Sequence, residues 1–238
     1  EMFDLSLQEE VKARWRVSPY EFCTLEELNS IKGNGNYYFL MCTSGQYKKE
    51  SEPSLQFLTL IKGGKGADKG IAEMLEVISM PIASAKYPTG RELVFLPAFL
   101  DIIQDHVAES MEKDRNAYGG LGNYTANMNR SEGLDIIFSE DDLCEGVLEQ
   151  SAEMFESGVL RVTDEDEADS YLAENADNVL VSYVAAPEDP EPGSFCYKML
   201  IDTHTHTLYY YKKHKIGPKA GRGFTIDDIK KIYSERKR

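Results

Sequence analysis

The stretches SFCYKMLID, Ser194–Asp202, and HTLYYYKKH, His206–His214, stand three residues apart near the C-terminus. Each is rich in aromatic and aliphatic side chains and of strand length, and the residues between them are short and polar. That pattern predicts an antiparallel hairpin. Eleven residues later Thr225-Ile226-Asp227-Asp228 carries a helix-capping signal, followed by Ile229, Ile232 and Tyr233 at helical spacing. A hairpin followed directly by a helix points to an α+β fold.

Upstream of the hairpin the rhythm changes. Leu134–Phe138, Val159–Val162 and Val179–Ala185 read as strands. Between them lie a helix capped by Ser139-Glu140-Asp141-Asp142, with Leu143, Val147, Met154 and Phe155 inward, and a short acidic helix at Asp164–Glu174. Strand, helix, strand, helix, strand admits parallel pairings. The stretch 116–130 is rich in Gly and Asn and reads as a long loop, whereas Pro97 opens a helix with Leu100, Ile103, Val107 and Met111 on one face. Ala67–Ile78 has helical spacing, Asn36–Thr43 and Leu55–Ile61 read as strands, and Leu5–Trp15 as a weaker helix. Thr24 and Glu27 make a capping box before Leu25, Leu28 and Ile31, with Gly33 as the stop. The expected architecture is one α+β domain over 1–238: a mixed, largely antiparallel sheet with covering helices, ending in the hairpin and a C-terminal helix. A subdivision near 115–133 is the alternative.

Composition narrows the classes. The 238 residues are 42% hydrophobic and 11% aromatic, enough for a substantial core and against a disordered acidic tail. The longest apolar stretch, Leu93–Leu100, is too short to cross a bilayer and is broken by Pro97, so no membrane span is expected. Glu1-Met2-Phe3-Asp4 has no basic region and no apolar core of a signal peptide, which favours the cytoplasm slightly over export. Cys23, Cys42, Cys144 and Cys196 are widely spaced without a C-x-x-C pair. That argues against a zinc ribbon or a disulfide-stapled fold and for buried free thiols. A long-range disulfide remains the alternative in an exported protein.

Two stretches invite a chemical reading. Asp202-Thr203-His204-Thr205-His206 resembles the D-x-H-x-H opening of amidohydrolases and of polymerase-and-histidinol-phosphatase-type metallohydrolases. The resemblance implies that Asp202, His204 and His206, alternate residues on one strand face, converge on one divalent metal. It covers about eight residues, and His214 is the only histidine after them. The competing reading is a hairpin turn with Asp202 bonding the turn backbone. Leu60–Gly70 is glycine-rich between a strand and a predicted helix, the setting of a phosphate cradle. A Walker loop starting at Gly63 needs Gly at 68 and Ser or Thr at 70, where this chain has Asp68 and Gly70. A lysine-bearing mobile loop is the better expectation. His106, at the edge of the Pro97 helix, reads as a boundary histidine bonded to a backbone carbonyl.

Charge says more than any motif. The formal net charge is −15, which opposes bulk binding to nucleic acid. Residues 140–191 carry 17 acidic side chains against Arg161, and 207–238 carry 10 Lys/Arg against three acids. Either the acidic face is solvated and partly neutralised by the basic end, or it faces a partner. The leading functional expectation is a non-catalytic binding domain without a cofactor. It would act on a basic protein partner through Asp164, Glu165, Asp166, Glu167 and Asp169. The alternatives are a metal-dependent hydrolase or nuclease built on 202–206, and nucleic-acid contact through Lys212, Lys213, His214 and Lys215 beside Tyr209, Tyr210 and Tyr211.

Overall fold

The computed structural model describes residues 2–112 and 120–236. It opens with helices α1 (Met2–Arg14) and α2 (Leu25–Ile31), then strands β1 (Tyr38–Gly45), β2 (Leu55–Lys62) and β3 (Leu75–Ser84). Helices α3 (Arg91–Val94) and α4 (Leu96–Glu112) follow. The second half runs β4 (Asp135–Ser139), α5 (Val147–Gln150), α6 (Ala152–Glu156), β5 (Leu160–Thr163), α7 (Glu165–Ala173) and β6 (Val179–Ala185). It closes with the hairpin β7 (Phe195–Asp202) and β8 (Leu208–Lys215), and then α8 (Ile226–Arg236).

There are two sheets. One is antiparallel in the order β1-β2-β3, and the other is mixed in the order β5-β4-β6-β7-β8. In the mixed sheet β4 runs parallel to both β5 and β6, while β6, β7 and β8 pair antiparallel. The fold is therefore α+β, with the C-terminal helix after the hairpin. Among the described residues no helix is long and apolar enough to cross a membrane.

Alternation along the strands sorts the core. Val179, Val181, Tyr183 and Ala185 of β6, with Tyr197, Met199 and Ile201 of β7, face β2, β3 and α4. Leu180 and Leu200 point the other way, onto Val147, Phe224, Ile229 and Ile232. The mixed sheet is thus buried on both faces, and one apolar cluster draws side chains from both sheets. Its β8 edge is covered rather than left open. Thr125 Oγ1 accepts from Tyr211 N–H and donates to Tyr211 C=O, while Asn127 donates to Leu208 C=O. An exposed row of strand amides is thereby blunted.

Several expectations need correction. Ala67–Ile78 is not a helix: a 3₁₀ turn at Ile71–Glu73 leads into β3. Gly70, inside that span, has φ 119°, which an α-helix does not accommodate, and from Leu75 the chain pairs with β2 instead. The single helix expected after Ser139 is broken into a 3₁₀ turn (Glu140–Asp142), α5 and α6, because Gly146 is left-handed (φ 73°) and Asp142 turns inward. Within the expected loop 116–130, residues 116–119 lie outside the described residues, and Leu121–Arg130 is a 3₁₀ helix. Strict alternation also fails in β8. A bulge between Leu200 and Ile201 turns Tyr209 toward the Tyr210 side, away from Tyr211. The four thiols are free, but Cys23 and Cys42 are exposed rather than buried.

Beneath α8 a charged group sits in the core. Lys198 and Asp228 are fully buried and bonded to each other. Asp228 also accepts from Tyr210 Oη (2.8 Å), Lys212 Nζ (2.6 Å) and the Thr225 amide (2.9 Å). Burial alone would raise its pKa, but the Lys198 and Lys212 bonds hold it far below the usual carboxylate range. Asp228→Asn strands the Lys198 charge and is expected to cost about 3–5 kcal/mol. Lys212→Met, on a half-exposed side chain, is expected to cost about 1 kcal/mol or less. Urea unfolding of the two variants checks the difference, and similar losses would contradict this account.

Candidate functional site

The order β5-β4-β6 creates a crevice. The chain leaving β4 passes through α5 and α6 on the α8 side of the sheet, whereas the chain leaving β5 passes through α7 on the α4 side. At the carboxyl ends of β4 and β5 the two connections therefore diverge, and open α/β sheets bind their ligands at such points. Glu140, Asp141 and Asp142 stand at the end of β4, and Asp164 and Glu165 at the end of β5. Asp164 caps α7, its carboxylate accepting the Glu167 amide at 2.8 Å.

Arg91, the first residue of α3, fills the base of the crevice. Its Nη1 lies 2.9 Å from Asp142 Oδ1, its Nε 2.8 and 3.0 Å from the Asp169 oxygens, and its Nη2 3.0 Å from the Ser182 carbonyl. Glu165 stands 3.7 Å from Nη1. The guanidinium lies over the rings of Phe95 (5.2 Å) and Tyr183 (5.1 Å), which pack against each other at 4.5 Å. Ser182 Oγ donates to the other Asp142 oxygen and accepts the Ser139 amide, so β4 and β6 are locked at this end.

One cation here serves several anions. Burial opposes the Arg91 charge, but Asp142 and Asp169 outweigh it and hold the guanidinium firmly protonated. The carboxylates fare differently. Burial, with Glu165 and Asp142 adding to it, pushes Asp169 up to about 6 despite Arg91. Burial likewise raises Glu165. The cleft above them, lined by Asp141, Glu165, Glu188 and Arg222, measures about 60 Å³. A drug-sized ligand needs about 300 Å³ or more, which this cleft does not offer. A larger cleft of about 290 Å³ lies between α4, the 121–130 helix and the start of β8.

The residues singled out from the sequence separate as follows. Of the acidic set, Asp164, Asp166 and Glu167 are exposed, while Glu165 and Asp169 turn toward Arg91. The D-x-H-x-H residues do not converge. Asp202 Oδ1 accepts the amides of His204 (3.0 Å) and Thr205 (2.7 Å), His206 Nδ1 reaches Asp101 at 2.6 Å, and exposed His204 leans toward Asp177 at 3.4 Å. Strand alternation ends at Asp202, where the turn begins, and His206 adopts a left-handed φ of 57°. Among the described residues no group of three His, Cys, Asp or Glu side chains is arranged to hold a metal.

Of the basic set, Lys212 pairs with Asp228, and Lys213 stands against aromatic rings. His214 donates to the Gly221 carbonyl (2.8 Å) and is kept below its ordinary pKa by burial and by Lys198. Lys215 is exposed. In the glycine-rich loop the amides of Gly63, Gly64, Ala67 and Lys69 already bond the chain's own carbonyls, so they do not form an anion cradle. His106 is buried, with Nδ1 3.1 Å from the Tyr124 hydroxyl. Arg91 escaped the sequence reading. Its one signal is a cation in the first turn of a helix, which the helix dipole disfavours unless carboxylates compensate.

No family model matches the chain, nor does any curated protein or solved structure.

Asp169 supplies the pH prediction. Its folded pKa of about 6 lies above the ordinary 3.8. Its contribution to stability is therefore fully present below about pH 4 and is lost as pH rises through 6. Solvent screening at this partly open position reduces the effect to about 1 kcal/mol. Denaturation at pH 4 and 7 should show wild type losing this much relative to Asp169→Asn, and a pH-independent difference would refute the assignment.

Proposed function

We propose that the chain is a non-catalytic binding domain that holds a basic protein partner against the acidic end of its mixed sheet. One observation carries the reading: the acidic segment is not neutralised by the basic one. Among the described residues the only ion pair joining 140–191 to 207–238 is Arg222 with Glu188. The acidic β5 edge and the basic β8 edge are four strand spacings apart, about 19 Å.

Glu140, Asp141, Asp164, Asp166 and Glu167 all remain exposed at one end of the sheet, around the buried Arg91. Charges placed this way raise the local concentration and encounter rate of a cationic partner more than they bind any one group tightly. The small volume of the cleft favours a protein surface over a small molecule.

The test compares two variants with equal charge change. One is Asp141→Asn/Asp164→Asn/Asp166→Asn/Glu167→Gln, in which Asn at 164 preserves the helix cap. The other is Glu9→Gln/Glu26→Gln/Glu73→Gln/Glu132→Gln, at exposed sites elsewhere. A fluorescent decalysine peptide is the probe, at about 50 and 300 mM salt. The first variant is expected to lose about tenfold in affinity at low salt, from several screened contacts of under about 1 kcal/mol each, and the second to lose little. Equal losses in both would show that net charge alone is at work and would sink the proposal.

A further inference from the structure

The hairpin places a second polar feature at the β8 edge, independent of the acidic face. Tyr197 of β7 lies directly opposite Lys213 of β8, and Phe195 opposite Lys215. Phe195, Tyr197 and Lys213 therefore share the sheet face turned toward β1–β3. The loop between β1 and β2 brings Tyr47 against the same spot. The Lys213 ammonium stands 4.3 Å from the Phe195 ring centre, 4.8 Å from Tyr47 and 5.3 Å from Tyr197.

This box is built rather than incidental. The Tyr47 and Tyr197 hydroxyls bond each other, which ties the two rings together. Phe57 meets Tyr197 edge-on at 5.8 Å, bracing the wall from β2. Tyr197 is buried, whereas Tyr47 and Phe195 are half-buried and Lys213 is exposed, so the box opens to solvent. The Glu76 carboxylate is near enough to add to burial in raising the phenols of Tyr47 and Tyr211.

The occupant fits its surroundings imperfectly. A lysine ammonium is strongly hydrated and carries three N–H donors. Here it has three ring faces and, among the described residues, no ion pair, while its neighbour Lys212 has Asp228. Burial accordingly lowers its pKa. Ring faces without acceptors suit a cation that has no N–H to satisfy. Such a cation is a quaternary ammonium. Lys213, on a flexible four-carbon stem at an exposed position, can withdraw to admit one.

We propose that Tyr47, Phe195 and Tyr197 form a binding site for a quaternary ammonium group, with Lys213 as its resident plug. The group could belong to a free molecule such as choline or to a trimethylated lysine on a peptide, and the rings read the chemistry the two share.

The experiment titrates choline and a trimethyl-lysine peptide separately into the full chain, wild type and Lys213→Ala, by calorimetry. Removing the plug is expected to tighten binding of at least one of them about tenfold. The same peptide with unmodified lysine should gain much less. A second change, Phe195→Leu or, should that variant not fold, Tyr47→Leu, is expected to abolish the gain. A preference for choline would identify a free molecule, and a preference for the peptide a modified protein, and either supports the site. If Lys213→Ala binds no quaternary ammonium more tightly than wild type, or keeps the gain after the ring is removed, the box is a structural staple and the proposal fails.

Discussion

Arg91 is the constraint around which the second half of the chain is arranged. Its guanidinium reaches the exit of β4 through Asp142, the first turns of α7 through Asp169 and the β6 backbone through Ser182. The Tyr183 ring that stacks on it also donates its hydroxyl to the Ile82 carbonyl of β3. A single side chain thus joins the parallel strands, a helix on one face and, through one ring, the antiparallel sheet. A buried ion pair of this kind adds little net stability over an apolar replacement. What it contributes is position: Asp142 bonds Arg91 from the 3₁₀ turn that follows Ser139.

That dependence explains which parts of the fold were legible. Elements decided by local rules were found. The Thr24 capping box, the Pro97 helix, the 179–185 strand and the terminal hairpin each carry their signal within about ten residues. Elements decided by distant partners were misread. Ala67–Ile78 has helical spacing, yet Leu58 and Leu60 of β2 pair with Met80 and Ile78, and the positive φ of Gly70 breaks the helix. Likewise Ser139–Asp142 has the composition of a helix cap, but Asp142 is claimed by an arginine 51 residues upstream. Arg91 itself sits in a short helix with no periodic pattern to flag it.

The two histidines illustrate the same limit at the level of a site. Alternation placed Asp202, His204 and His206 on one face only while the backbone stayed extended. The turn begins at Asp202, whose carboxylate is the very group that closes it by accepting two amides. The residue that made the motif look metal-binding is the residue that stops the strand from presenting it. His206 then swings to Asp101, which it shares with Arg14, and so pins the turn to α1 and α4.

Charge segregation survives folding because of strand order. Had β8 paired beside β5, Lys215 and its neighbours would face Asp164 and Glu167, and the acidic edge would be spent internally. The order β5-β4-β6-β7-β8 instead puts three strands between them. At the start of the basic stretch three side chains have internal partners: Lys212 has Asp228, Lys213 aromatic rings and His214 a backbone carbonyl. In the acidic stretch Asp142 and Asp169 turn to Arg91, Asp164 caps α7 and Glu188 pairs with Arg222, while Glu140, Asp141 and Asp166 stay exposed. Self-repulsion among Asp141, Glu165 and Asp166 is a standing cost to the folded chain. A cationic partner placed over the ends of β4 and β5 would relieve it, which is the physical reason behind the docking proposed at that edge.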